Sequence, residues 1–151
     1  AFFFFLCKSV FEALLDIYKQ YGFYKEALLS LTKKGKAGAD EIKAMMATFR
    51  SQPPAQLGGS KVVLLKDYEL GIQTDLRTNK QEKLDFPKSD VLQFITEDGN
   101  IVSARPSGTE PKIKFYCSIK TDLKDNSEFQ ALNAELDSKI GKLLTDLGIS
   151  E

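Results

Sequence analysis

The chain has 151 residues, 42% of them hydrophobic, and its 21 basic and 21 acidic groups leave no formal net charge. That length suits about one domain with a buried core, and the even charge argues against bulk binding to nucleic acid or to a membrane surface. Histidine is absent, which excludes Ser–His and Cys–His nucleophile pairs and imidazole metal ligands; any acid or base must be a carboxylate, lysine or tyrosine.

Residues 1–7 carry four phenylalanines, Phe2 to Phe5, then Leu6. This run is too short to span a bilayer and lacks the basic stretch and cleavage site of a signal peptide, so it reads as the cut edge of a larger protein. Ser9 and Glu12 have capping-box spacing, Val10, Phe11, Leu14, Leu15, Ile17 and Tyr18 follow at helical spacing, and Gly22 is a natural stop. Residues 23–32 are ambiguous, with an aromatic start that favours a strand. Residues 33–38 read as an exposed turn. Asp40 to Arg50 reads as a second helix, with Ile42, Met45, Met46 and Phe49 on one face. Methionines at that spacing fill a core face more often than they bind a partner. Pro53 and Pro54 end the helix, and the stretch from there to Gly58 and Gly59 is taken as the boundary between residues 1–56 and 57–151.

From Lys61 the pattern becomes that of strands. Lys61 to Asp67 is one; residues 68–86 are polar and read as loop. Asp90 to Thr96 and Asn100 to Ala104 flank Asp98-Gly99, a hairpin signal. Lys112 to Lys120 alternates, with Ile113, Phe115, Cys117 and Ile119 facing one way. A last helix starts near Asn126 or Ser127, with Ser127 and Gln130 as a second capping box and an apolar stripe from Phe129 to Leu147. Two cysteines, Cys7 and Cys117, are too few for a disulfide framework or a metal site, and Cys117 reads as a buried, inert thiol. The expected fold class is α+β: an antiparallel sheet of about four strands with helices on one face, preceded by a mostly helical segment.

One stretch asks for a ligand. Between two good strands stands Arg105-Pro-Ser-Gly-Thr-Glu-Pro-Lys112. Arg105 offers a planar fork of donors for phosphate oxygens, Ser107 and Thr109 add hydroxyls, and Gly108 lets the backbone approach an anion. Lys112 and Lys114 add positive charge. By composition alone a loop of Pro, Ser, Gly and Thr is also a plain strand connection. It is not the nucleotide-binding P-loop, whose Gly-x-x-x-x-Gly-Lys-Ser/Thr pattern is absent.

The ordered string resembles the C-terminal domain of the α-D-phosphohexomutases, the phosphoglucomutase and phosphomannomutase family. Asp90-Val-Leu-Gln-Phe94, Glu97-Asp-Gly-Asn100 and Lys112-Ile-Lys-Phe-Tyr116 extend the likeness on both sides, and Asp16 to Gly22, Met45 to Pro54 and Gly58 to Val63 extend it upstream. The resemblance implies that residues 1–56 are a remnant of the third of four mutase domains and residues 57–151 the fourth, with a TATA-box-binding-protein-like sheet. It implies a cytoplasmic isomerase in which a phosphoserine exchanges phosphoryl groups with a phosphosugar through a sugar 1,6-bisphosphate, assisted by Mg²⁺. Arg105, Ser107, Gly108 and Thr109 would then clamp the phosphate that is not reacting. The family's serine loop (Thr-Ala-Ser-His-Asn-Pro), its Asp-Gly-Asp-x-Asp-Arg metal loop and its Gly-Glu-Glu-Ser-Gly sugar loop do not occur here. The expected partners are thus a phosphosugar and the remaining domains of a parent mutase, with no nucleic acid, no membrane and no Mg²⁺ ligands in this chain, which alone would be inactive. A stand-alone anion-binding or regulatory module is the alternative.

Overall fold

The computed structural model describes residues 8–149, so the expectations for residues 1–7, Cys7 among them, lie outside the described residues. The first capping box forms as its spacing requires. The Glu12 amide donates to Ser9 Oγ at 3.1 Å, the Ser9 amide donates to the Glu12 carboxylate at 2.7 Å, and α1 runs Val10–Tyr21 up to Gly22. Leu15 is buried from this helix, and the rings of Phe11 and Tyr18 reach Phe129 of the last helix. The ambiguous segment is a strand, β1 (Phe23–Thr32).

α2 spans Gly35–Ser51, so it begins ahead of Asp40 and takes in most of the expected turn. Ala37 and Ala39 favour helix, and the Gly38 amide closes the first turn on the Lys34 carbonyl. Met46 and Phe49 are buried, the core-filling role expected of this face.

The remaining strands are β2 (Gln56–Leu57), β3 (Ser60–Asp67), β4 (Ile72–Asp75), β5 (Lys80–Lys83), β6 (Leu92–Thr96), β7 (Ile101–Pro106) and β8 (Lys112–Thr121). They form one sheet of eight strands in the order β1-β8-β7-β6-β3-β4-β5, with β2 on β3. One expectation changes here. The sheet is larger than four strands because residues 68–86 hold the β4–β5 hairpin rather than loop. Every residue of β5 is exposed, so no apolar period marks it; its turn is tied instead by Asp75, which accepts the Arg77 and Thr78 amides. The sheet also takes in a strand from ahead of residue 57. β1 pairs antiparallel with β8 along its whole length, from Phe23 opposite Thr121 to Thr32 opposite Lys112.

The last helix also starts differently. Asp125 and Glu128 make the second capping box, not Ser127 and Gln130: the Ser127 amide donates to Asp125 at 2.9 Å and the Asp125 amide to Glu128 at 3.1 Å. The Ser127 hydroxyl itself donates to Asp125, because a carboxylate is the stronger acceptor. A 3-10 turn, Asn126–Glu128, leads into α3, Phe129–Asp146.

All three helices cover one face of the sheet. On β8, Ile113, Phe115, Cys117 and Ile119 are buried beneath them, and Phe49 meets Phe94 and Phe115 edge-on. Burial pushes the Cys117 thiol up to about 11, consistent with an inert core residue. The opposite face carries Tyr24, Leu28 and Tyr116 exposed and is uncovered among the described residues. No helix of the described residues is long and apolar enough to cross a membrane.

Candidate functional site

The candidate loop is the β7–β8 connection. Arg105 stands opposite Lys114 and Pro106 opposite Ile113. Alternation along β7 sends Val102 and Ala104 into the core and turns Arg105 to the open face beside Lys114. The neck is closed by the Ser107 amide donating to the Lys112 carbonyl at 2.8 Å, and the Lys33 amide at the end of β1 donates to the Pro111 carbonyl at 2.8 Å. The loop therefore stands on three hydrogen-bonded strands' worth of rigid support.

Within it, Ser107 Oγ accepts the amides of Thr109 at 3.4 Å and Glu110 at 3.3 Å. With its lone pairs so engaged, the hydroxyl keeps its proton to donate outward. At Gly108 a Cβ would meet nothing within 4 Å, so the space over its backbone is open. Arg105, Pro106, Ser107, Gly108, Lys114 and Tyr116 line a cleft of about 210 Å³ on the open face.

Thr109 is not on that wall. It lines a second cleft of about 410 Å³ on the other side of the loop, with Ala39, Ile42 and Lys43 of α2 and with Asp90. Three of the four sequence-derived site residues are thus brought together, and Lys114 joins them. Tyr116 was not singled out as a site residue. Its signal was present in the alternation of β8, which puts residues 112, 114 and 116 on one face.

Among the arginines, Arg105 stands apart. The sequence holds three arginines. Arg50 joins α2 to β3 through Asp67 at 3.0 Å and also meets Glu69 and Asp90. Burial alone would lower its pKa, but those carboxylates hold it above the ordinary value. Arg77 grips Asp75 at 2.6 Å. Among the described residues Arg105 has no carboxylate within ion-pair distance, and neither do Lys112 and Lys114. A guanidinium and an ammonium side by side with no ion-paired carboxylate among the described residues, next to hydroxyl and amide donors, are the donor types that an anion with several oxygens would require. No group of three or more acidic or cysteine side chains among the described residues is placed to hold a metal ion.

A model of the phosphoglucomutase/phosphomannomutase C-terminal domain matches residues 31–136, from the end of β1 into α3. The chain belongs to this family. Its curated relatives include a phosphoglucomutase of Staphylococcus saprophyticus, 38% identical over 122 residues, covering 80% of this chain and 22% of that protein. Another, from Staphylococcus epidermidis, is 37% identical over 111 residues, 74% of this chain and 20% of the relative. The chain spans about a fifth of the length of these mutases. Among solved structures it is similar to pp63/parafusin, a Paramecium phosphoglucomutase in its open form, at 16% identity and a TM-score of 0.48, covering 95% of this chain and 24% of that one.

Proposed function

We propose that this chain is the phosphate-gripping part of a phosphosugar mutase. Arg105, Ser107, Gly108 and Lys114 hold the phosphate group that is not being transferred, and the Thr109 amide, donating to Ser107 Oγ, helps to set the loop. The single observation that carries this reading is Arg105 beside Lys114 with no ion-paired carboxylate among the described residues, on a loop hydrogen-bonded at its neck. The bond chemistry belongs to the parent enzyme: a phosphoserine, a sugar 1,6-bisphosphate intermediate and Mg²⁺ reside in the parent's other domains, in the cytoplasm. This chain on its own turns over no substrate.

Such a division suits the reaction. Phosphoryl transfer depends on alignment and charge stabilisation. The intermediate must be held in two orientations, so a grip that reads phosphate and ignores the rest of the sugar serves both. Binding energy from the distant phosphate can also close the site and exclude water from the phosphoenzyme.

Amide shifts on titration with glucose 1-phosphate test the grip directly. Movement should centre on residues 105–114, and Arg105→Ala should weaken binding about ten- to a hundredfold, the worth of a charged bidentate contact. A wild-type chain whose loop amides do not move at millimolar ligand would rule the site out.

A further inference from the structure

The cleft beside Arg105 does not end at Lys114. Tyr116 lies two residues further along β8 on the same face, about 6.6–6.8 Å on by strand rise, and 41% of its side chain is exposed on the cleft wall. The neighbouring strands complete the patch. Leu28 of β1, 55% exposed, stands opposite Tyr116 on one side, and Ser103 of β7 stands opposite on the other. The Ser103 hydroxyl accepts the Gln93 side-chain amide at 3.1 Å and keeps its own proton for a further acceptor. Next to the cationic pocket there is thus an aromatic plate with an aliphatic shoulder and two hydroxyls.

We infer that Tyr116 is the sugar-facing wall of this cleft. With a phosphate on Arg105, Ser107 and Lys114, whatever the phosphate is esterified to extends over the next position of the same face. A polyhydroxylated ring fits what is there: its C–H face lies on the phenol ring, and its hydroxyls exchange hydrogen bonds with Tyr116 and Ser103. The chemistry selects a phosphorylated sugar over inorganic phosphate without reading any one hydroxyl rigidly, because a tyrosine hydroxyl both donates and accepts. An exposed tyrosine beside a leucine is otherwise an ordinary cross-strand pair, and the two roles differ in what they do to ligand discrimination. This inference rests on the phosphate site described above.

The test compares two ligands, inorganic phosphate and glucose 1-phosphate, on the full chain and on Tyr116→Ala, Tyr116→Phe and Arg105→Ala, with dissociation constants from amide shifts. Tyr116→Ala should weaken glucose 1-phosphate about three- to tenfold and leave inorganic phosphate and the melting temperature unchanged; Tyr116→Phe should lose a smaller part of the same discrimination. Arg105→Ala should weaken both ligands. If Arg105→Ala does so while Tyr116→Ala weakens both ligands equally, or neither, Tyr116 is only part of the sheet and the sugar-facing role is wrong. If Arg105→Ala changes neither ligand, the phosphate site itself fails and takes this role with it.

Discussion

β7 is bounded by two hairpin connections that treat their polar groups in opposite ways. At its start, the turn around Asp98-Gly99 satisfies itself. The Gly99 amide donates to the Thr96 carbonyl at 2.9 Å and the Asn100 amide to Thr96 Oγ1 at 3.1 Å, while Asn100 Oδ1 accepts the Lys120 amide at 3.0 Å; Thr96 and Asn100 are both buried. At its end, the 106–111 loop is tied at its neck and through the Ser107 hydroxyl oxygen, and leaves Arg105 without an ion pair among the described residues and the space over Gly108 open. The glycines mark the same contrast. Gly99 has φ +80° with Lys120 against it, a conformation L side chains avoid, whereas Gly108 is at an ordinary φ in open space. One turn uses its groups to hold strands; the other leaves several of them free, as the proposed phosphate grip would need.

The next strand, β8, which pairs with β7 and supplies the Lys120 amide to Asn100, gives the largest test. Cys117 is neutral in the core, and burial raises its pKa from 9.0 to about 11. The unfolded chain therefore loses the thiol proton first as pH rises. The contribution of Cys117 to stability is fully present below pH 9 and should be lost between pH 9 and 11, by roughly 2–3 kcal/mol at most. Chemical denaturation across that range should show the fall in the parent chain and a flatter profile in Cys117→Ala; equal slopes would contradict the burial argument. Both turns should loosen together in this window, since both hang on β8.

The next effect should separate them. Asn100→Ala leaves the Lys120 amide without its buried acceptor and should cost about 1–3 kcal/mol in denaturation, with phosphate affinity unchanged. Phosphate binding that falls in step with stability would mean the two ends are not independent. The smallest effect lies at the other end: Gly108→Ala should leave the melting temperature where it is and weaken inorganic phosphate about three- to tenfold by standing in the anion's approach. A variant that binds as well as the parent would show that Gly108 is only a spacer.

Much of this contrast was legible in the sequence, for physical reasons that differ by element. β8 declared itself because one face is buried and one is not, so Ile113, Phe115, Cys117 and Ile119 alternate with polar neighbours. α1 declared itself through Ser9 and Glu12, whose reciprocal bonds need only local spacing. The β4–β5 hairpin did not, because neither face of β5 is covered and no apolar residue is needed there. The loop's residue types were legible, but the isolation of Arg105 was not. The sequence contains 21 acidic residues, and only the fold decides that Asp67, Glu69 and Asp90 go to Arg50 while none of the described carboxylates pairs with Arg105. The separation of Thr109 from Arg105 is likewise a matter of which way the loop turns, which no spacing rule encodes.

The long pairing of β1 with β8 has a mechanical consequence. The β1 ladder runs to Thr32 opposite Lys112, and Lys33 then clasps Pro111 at the foot of the loop. A load applied at Phe23 is therefore carried along a continuous rail of backbone hydrogen bonds to the foot of the 106–111 loop. In a larger protein, swinging this unit about a pivot ahead of β1 would deliver the loop to a distant partner surface as a stiff lever arm delivers its tip.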